Sequence, residues 1–544
     1  MKPTILSMLL CFGIMGATFG QSFQYLENIN TVIPTNKLII ATDPAGNTYV
    51  TSTYYYELTI EGITINSDVY MSTFLAKYDK NGHLKWLKSF ESTGQCYPLN
   101  VTYNKSTKGV LLCGVYTDVL NVNGVSYPSQ GNDDAFWLSV DANGNVLHTT
   151  TFNAEGDESI SDIGSDKFGN IYIMGKAGGE DELFFNGLLQ FTDDIGYTGF
   201  IAKYKNDGTP LWMRTISGEI NFNIYAMDVA SNGTVYFGFT TQGSYYINNG
   251  IDESYGIIKP VDEINVVLFS FTKNGDVYQS TEFYSTKFNV EVSDVVYDGS
   301  VNILMNITDS IEVFGDFYYP EIGGGSIIAR ISFTTFEAEW AKYIYSPYGI
   351  ALNSLKSIGN TMLAAGSYFN YCELDGVSVE NPFDDEEGLL ITINKNTGVA
   401  LGVADFDNVE SSEYIMDIDA DKNGNIYLAG FFNGLIYFDA MNETSDPLHY
   451  NLFLTRLNAT ILKEAEIIPN TMVSIYPNPA ADVITINEAI HNWEIINVAG
   501  QIVLSGVGSD NVTTINLQTI PSGIYLLSAT NTKNEIVTQQ FIKQ

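Results

Sequence analysis

Short apolar runs alternate with polar, Gly-bearing turns along most of the chain, and no long segment spaces its apolar residues as a helix would. The clearest instance is DADKNGNIYLAG at Asp419–Gly430. Its Asn-Gly pair supplies the positive φ of a tight turn, and Ile-Tyr-Leu-Ala then extends as a strand. Weaker copies begin at Ala45 (AGNTYV), Lys108 (KGVLLCG), Phe168 (FGNIYIMG), Asn232 (NGTVYFG), Asp298 (DGSVNILM) and Ile358 (IGNTMLAAG). Their glycines are Gly46, Gly109, Gly169, Gly233, Gly299, Gly359 and Gly424, at intervals of 63, 60, 64, 66, 60 and 65 residues.

A second motif alternates with the first. It reads FLAKYDKNGHLKW at Phe74–Trp86, FWLSVDANGNVL at Phe136–Leu147 and FIAKYKNDGTPLW at Phe200–Trp212. Later copies are VLFSFTKNGDVY at Val267–Tyr278, IIARISFTTFEAEW at Ile327–Trp340, LLITINKNTGVAL at Leu389–Leu401 and FLTRLNATIL at Phe453–Leu462. Each predicts a β-hairpin. Most units carry a smaller excursion between the motifs, as at Glu61-Gly62, Asn123-Gly124, Asn186-Gly187, Asn249-Gly250, Phe314-Gly315 and Asp375-Gly376. Two hairpins in about 63 residues, seven times over, predict an all-β fold. The expected form is a seven-bladed β-propeller over residues 21–463, in which radial closure would protect the strand edges. The segment Phe23–Ile29 is expected to complete the last blade. Residues 464–473 read as a linker. Residues 474–544 alternate apolar positions around Pro, Asn and Gly turns and predict a small antiparallel β-sandwich.

Composition narrows the functional classes. With 25 Lys and Arg against 63 Asp and Glu, the formal charge of −38 excludes a nucleic-acid or anionic-lipid surface. Residues 1–20 have the form of a signal peptide, with Lys2, the apolar stretch Ile5–Met15 and small residues before a cleavage point at Gln21. No later run is long enough to span a bilayer as a helix. Cys96, Cys113 and Cys372 then remain, an odd number without a CxxC pair, and three buried, unpaired thiols are expected.

Units of the form FxAKYDxNGxLxW…DxxGNxYxxG, over roughly Leu38–Leu462, resemble the SBBP-type β-propeller repeats of secreted bacterial proteins. That resemblance implies a propeller and a secreted setting without implying a catalytic site. The C-terminal segments YPNPAADVITI, IINVAGQIVLSG and INLQTIPSGIYLLSA resemble the type A C-terminal sorting domain of the Bacteroidetes type IX secretion system. The motif positions are Tyr476, Pro477, Asn478, Pro479, Gly500, Gln501, Gly523, Tyr525 and Lys543. The resemblance implies a partner, the type IX machinery, and passage through the periplasm to the cell surface or medium. There the sorting domain is usually removed and the passenger released or anchored.

Candidate chemistry is sparse. The Asp419 loop resembles the start of a calcium site, with Asp419, Asp421 and Asn423 as ligands, although Gly430 stands where such a loop ends in Glu. A plain hairpin turn is the preferred reading there, and no other cofactor is implied. Acidic residues recur before the second motif, at Asp133–Asp134, Asp193–Asp194, Asp262–Glu263 and Asp384–Glu387, with single ones at Asp68, Glu321 and Asp446. They predict either a solvated rim or an acidic mouth. The fourth position of that strand is polar throughout (Lys77, Ser139, Lys203, Ser270, Arg330, Thr392, Arg456); structural snorkelling or contact with channel water is the preferred reading, and a ligand-touching lining of a central channel the alternative. Four histidines without an HExxH, and the absence of GxSxG and P-loop motifs, leave no enzymatic signature. The reading is a binding or adhesion module for extracellular polysaccharide or protein. A polysaccharide hydrolase or lyase, and a structural surface component, are the alternatives.

Overall fold

In the computed structural model of the chain, the described residues are 23–29, 37–152, 156–178, 183–185, 188–190, 198–248, 254–257, 264–285, 290–320, 324–381 and 385–406. They continue with 412–438, 441–445, 450–458, 475–477, 479–486, 489–497, 502–509, 512–531 and 536–544. The leader at 1–20 and the linker at 464–473 lie outside them. The chain divides into two compact units, Met1–Leu462 and Lys463–Gln544. Both are all-β, as expected, with no helix among the described residues.

In three repeats of the first unit, the first hairpin is shaped by a turn that its own aspartate closes. Asp43 Oδ1 accepts the Ala45 and Asn47 amides at 2.8 and 2.9 Å, and Oδ2 accepts Asn47 Nδ2 at 2.6 Å. Asp166 and Asp421 repeat the arrangement, and Asp141 does the same in the second hairpin of its sheet. The fourth residue must take a positive φ, and at Gly46 (φ 87°) a Cβ would also stand 2.6 Å from the Tyr427 hydroxyl of another repeat. Only glycine meets both conditions.

The hairpins assemble into groups of four antiparallel strands. The first sheet holds Ile39–Thr42, Thr48–Tyr54, Ser72–Tyr78 and Leu84–Ser92, in that order. The second holds Cys96–Asn104, Gly109–Tyr116, Asp134–Val140 and Val146–Phe152. The third begins Glu158–Ser165, Ile171–Ala177 and Thr198–Tyr204, and Pro210–Val229 then runs on from its outer edge to begin the fourth. Val235–Asn248, Ile264–Phe271 and Val277–Ser285 complete the fourth.

Val290–Tyr297, Val301–Ile307, Gly325–Ile331 and Ala338–Tyr345 make the fifth sheet. Ile350–Ile358, Thr361–Phe369, Glu386–Asn394 and Ala400–Asp405 make the sixth. The seventh has Glu413–Ala420, Ile426–Phe432 and Asn451–Leu457, and the N-terminal strand Phe23–Ile29 supplies its fourth member, as expected. Some excursion hairpins pair onto the sheet before their own. Val119–Val122 adds to Leu84–Ser92, Ile311–Val313 to Val277–Ser285 and Tyr371–Leu374 to Ala338–Tyr345, which covers those edges.

The core lies between neighbouring sheets. One cluster joins Leu111, Cys113 and Trp137 of the second sheet to Ile160, Ile173 and Phe200 of the third. Cys96, Cys113 and Cys372 are all buried and free, as the sequence predicts. The same interfaces explain the second motif. Trp86 Nε1 and Lys77 Nζ both donate to the Ala142 carbonyl, in the turn of the next sheet, at 3.1 and 3.0 Å. Trp212 and Lys203 do likewise to Lys273, and Trp340 donates to Lys395 at 2.8 Å.

Apart from Ser139, which is buried, the fourth-position residues are therefore bonded between or within sheets, in keeping with the structural reading and not with a ligand-touching lining. Lys77 and Lys203 also sit 4.9 and 4.8 Å over the rings of Tyr49 and Tyr172. Arg330 is buried against Asp298, Asn302 and Glu339, and Arg456 donates to the Lys80 carbonyl. Ser270 and Thr392 bond to the adjacent strand. A strand's polar position, read alone, does not say which neighbour it faces.

In the second unit, Ile475–Tyr476, Val483–Ile486 and Thr513–Asn516 form one sheet. Ile502–Val507, Ile490–Asn497, Gly523–Asn531 and Ile536–Lys543 form the other. Ile484, Ile495, Ile515, Leu527 and Phe541 share one core between the two.

Trp340→Phe keeps the ring but leaves the Lys395 carbonyl without its indole donor. It should lower stability by about 1 kcal/mol, read as a reduced urea midpoint at unchanged m-value. An unchanged midpoint would show that the bond contributes nothing.

Candidate functional site

The first strand of each sheet lies beside the first strands of its neighbours. Ile39–Thr42 touches both Cys96–Asn104 and Glu413–Ala420, and the contacts continue through the intervening sheets. These are edge strands whose outer amides lack a ladder partner. In six sheets the register shifts near the middle of that strand, as between Ile160 and Asp162, Val292 and Asp294, or Ile415 and Asp417. Such bulges re-aim side chains, here polar ones.

Aspartates at these positions bridge one inner strand to the next. Asp162 accepts its own Ile163 amide and the Met227 amide of the next sheet, both at 2.7 Å. Asp228 reaches the Tyr297 amide at 2.8 Å, and Asp294 the Leu355 amide at 2.7 Å. Asp417 takes the Ile40 amide at 2.8 Å, and Asp419 the Thr42 amide at 2.6 Å. Asn100 Nδ2 donates to Asp162 at 2.6 Å, and Ser354 Oγ to Asp417 at 2.8 Å.

Together these strands wall a polar cavity of about 520 Å³. Burial lifts Asp162 and Asp417 to about 7 and Asp294 to about 6, although the donated amides pull each back. Lys356 pairs with Asp419 among them. Burial lowers Lys356, but Asp419, then Asp228 and Asp417, carry it above the usual lysine range. Towards the turn end, Lys105 and Lys422 line the mouth beside Asp298 and Ser357. The cavity thus combines fixed carboxylates with donors at its rim, a lining suited to a hydroxyl-rich ligand.

The residues proposed as calcium ligands have separate duties. Asp419 bridges to Thr42 and Lys356. Asp421 closes its own turn by accepting the Asn423 and Asn425 amides at 2.8 and 3.0 Å, and Asn423 is exposed. Among the described residues no group of three or more His, Cys, Asp or Glu is arranged to hold a metal. The sequence reading passed over Asp162, Asp228, Asp294, Asp417 and Lys356. Their signal was an Asp followed by an aliphatic residue, one strand ahead of each turn, at intervals of 66, 66 and 123 residues.

The acidic positions before the second motif are in part neither rim nor mouth. Asp134 and Glu387 are 0% and 1% exposed, and Asp68 is exposed. Asp193–Asp194, Asp262–Glu263, Asp384, Glu321 and Asp446 lie outside the described residues. Asp134 is held by the Gln130 and Gly131 amides at 3.1 and 3.2 Å. Burial, and then Glu413 of the seventh sheet, hold Glu387 far above the usual carboxylate range. Asp385 and Asp405 add to the effect.

In the second unit, several of the sorting positions converge. Lys543 pairs opposite Gly523 and bridges to Ala480, just after Pro479. Tyr525 stacks on Phe541 at 5.8 Å and donates to the Pro521 carbonyl at 3.0 Å. Lys543 is buried, Tyr476 is half exposed, and a cis bond joins Tyr476 to Pro477. Asn478, Gly500 and Gln501 lie outside the described residues.

Residues 474–544 match the family described as the secretion system C-terminal sorting domain. This domain marks the chain for export by type IX secretion to the cell surface or extracellular space, and the secretion machinery is its partner. Over 233 residues the chain is 25% identical to the lambda-carrageenase of Pseudoalteromonas carrageenovora, a stretch covering 40% of this chain. The chain spans only 21% of that relative's length. Among solved structures it is similar to the quinohemoprotein alcohol dehydrogenase of Comamonas testosteroni. The TM-score there is 0.36 at 12% identity, over 85% of this chain and 79% of the other. It is also similar to PorZ of the Porphyromonas gingivalis type-IX secretion system, with a TM-score of 0.17 at 10% identity, over 95% and 100% of the two chains.

Two outcomes follow for the buried carboxylates. Asp417→Ala strands the Ile40 and Ile418 amides and the Ser354 hydroxyl, and should cost about 2–3 kcal/mol in urea denaturation. Glu387 keeps a proton in the folded chain that the unfolded chain releases above about pH 4.3. Its contribution is therefore present in acid and lost as pH rises. Glu387→Gln should melt near wild type at pH 5 and several degrees above it at pH 8. Equal melting temperatures at pH 8 would show the pair to be unstrained.

Proposed function

We propose that residues 21–463 close as a seven-bladed β-propeller of SBBP-type repeats and act as a binding or adhesion module for extracellular polysaccharide. In this reading the signal peptide at 1–20 delivers the chain to the periplasm, and residues 474–544 then carry it outward. The ligand sits at the mouth of the central cavity. The observation that carries the reading is the cavity itself, to which the inner strands bring Asp, Asn, Ser and Lys side chains beside an open rim. Hydroxyl groups of a sugar chain find there both acceptors and the Lys105, Lys356 and Lys422 donors. Support for closure comes from the inner strands lying side by side and from the bridging by Asp417 and Asp419 of the last sheet onto the first.

A second reading, a polysaccharide hydrolase or lyase, is favoured by the 25% identity to a lambda-carrageenase over 233 residues. The two readings part on product formation. The mature chain, mixed with insoluble polysaccharides with and without calcium, should be retained in the pellet without releasing reducing ends. Released ends would install the enzymatic reading. Ser165 also lines the cavity; Ser165→Trp, which narrows it, should weaken retention at least tenfold, and undiminished retention would remove the ligand from that cavity.

A chain lacking 474–544 should accumulate in the periplasm of a type IX-competent host. Its appearance outside the cell would show that the sorting domain is dispensable.

A further inference from the structure

At the far end of the first sheet from the Asp43 turn, the backbone leaves the second strand through a residue of positive φ. In other sheets that position is Asp118 (φ 61°), Asn370 (φ 56°) or Gly434 (φ 77°), and in each its carbonyl accepts the amide that closes the excursion hairpin. The closing amides belong to Ser129, Asn381 and Ser445, at 2.6, 2.8 and 2.7 Å. Asp, Asn and Gly are the residues that tolerate this conformation. In the first sheet the position is Tyr56 (φ 57°), and its carbonyl accepts the Ser67 amide at 2.6 Å in the same way.

The tyrosine is not there for the core. Tyr56 is 56% exposed, and its ring centroid lies 6.1 Å from that of Tyr70, which is 50% exposed, with the planes 71° apart. Tyr70 is braced from below by the buried Tyr55, 4.7 Å away. A bulky side chain is thus kept at a strained backbone position and turned outward, where it forms a corner with a second supported ring. Strain of this kind persists where the surface has a use for it.

We infer that Tyr56 and Tyr70 form a recognition platform for a neutral polysaccharide chain, separate from the cavity mouth. The inference rests on the reading of the protein as a polysaccharide-binding module and names its ligand class. The C–H face of a pyranose ring carries slight positive charge and packs on the negative face of an aromatic ring, while the phenol hydroxyls meet sugar hydroxyls. Charge selects among glycans. Exposed Glu57 and Asp68 flank the rings, and residues 52–76 contain no Lys or Arg, so a sulfated or uronate chain meets repulsion there.

Affinity electrophoresis of the full mature chain in gels containing a soluble β-glucan, xylan or mannan, or a sulfated galactan, tests this. The wild type should be retarded by at least one neutral glycan. Tyr56→Asn and Tyr70→Ala should each lose that retardation tenfold or more. Because Asn suits the positive φ, Tyr56→Asn should melt no lower than wild type, which a merely structural tyrosine would not allow. Retardation that persists in both variants overturns the platform and leaves the binding module standing. Retardation by the sulfated galactan alone overturns the neutral ligand, also without touching the binding module. Failure of the wild type in every gel overturns platform and module reading together.

Discussion

The structure of the first unit depends on carboxylates that accept backbone amides from a neighbouring sheet. An inner strand has one ladder partner and one bare edge, and a bare edge inside a protein is costly unless something accepts its amides. Asp162, Asp228, Asp294, Asp417 and Asp419 do so, each holding the amide after its own position and one from the following sheet. One residue type thus both satisfies the edge and fixes the angle to the neighbour. The consequence is that five acids gather around one cavity. Lys356 and the donated amides offset part of their repulsion, and protonation relieves more. A wall built this way stays polar, so the cavity cannot collapse into an apolar core.

At the turn end of the strands a different bond repeats. Indole and ammonium donors from one sheet meet the carbonyl inside the turn of the next, at Ala142, Lys273 and Lys395. The tight turn, closed by Asp141, Thr272 or Asn394, presents that carbonyl in a fixed place, so local turn chemistry becomes long-range registry. Apolar burial between the sheets supplies most of the driving force, and these polar bonds set the geometry.

The repeat was legible because its turn is over-determined: Asp, Asn and Gly are each needed for a separate bond or dihedral. The Trp and Lys of the second motif were visible as a pattern, but their partners sit about sixty residues away, and nothing local reveals that. For the same reason the excursion hairpins could be seen as hairpins but not as covers for the preceding sheet. The bridging aspartates were hidden in plain view. Asp419 was read with the turn beside it, although its carboxylate points to Thr42, and Asp162 looks like any polar residue in a strand until the bulge is known. Tyr56 was missed because a backbone dihedral leaves no mark on composition. In the second unit, Lys543 and Pro479 are at opposite ends of a motif whose members meet only after folding, since Ala480 and Lys543 bridge directly.

The pairing of Phe23–Ile29 with Asn451–Leu457 joins partners such as Asn28 and Asn451, which are separated by 423 residues. A ribosome delivers the first of these long before the second exists. Until then the seventh sheet lacks its outer strand, and the earliest strand to emerge waits with both edges bare. Sheets one to six can form in the order of synthesis, whereas the last requires the nascent chain's beginning and end to find each other. The seventh sheet is therefore the one whose completion waits for the last strand of the unit to be made, and the contact between the two distant strands is what the other six sheets do without.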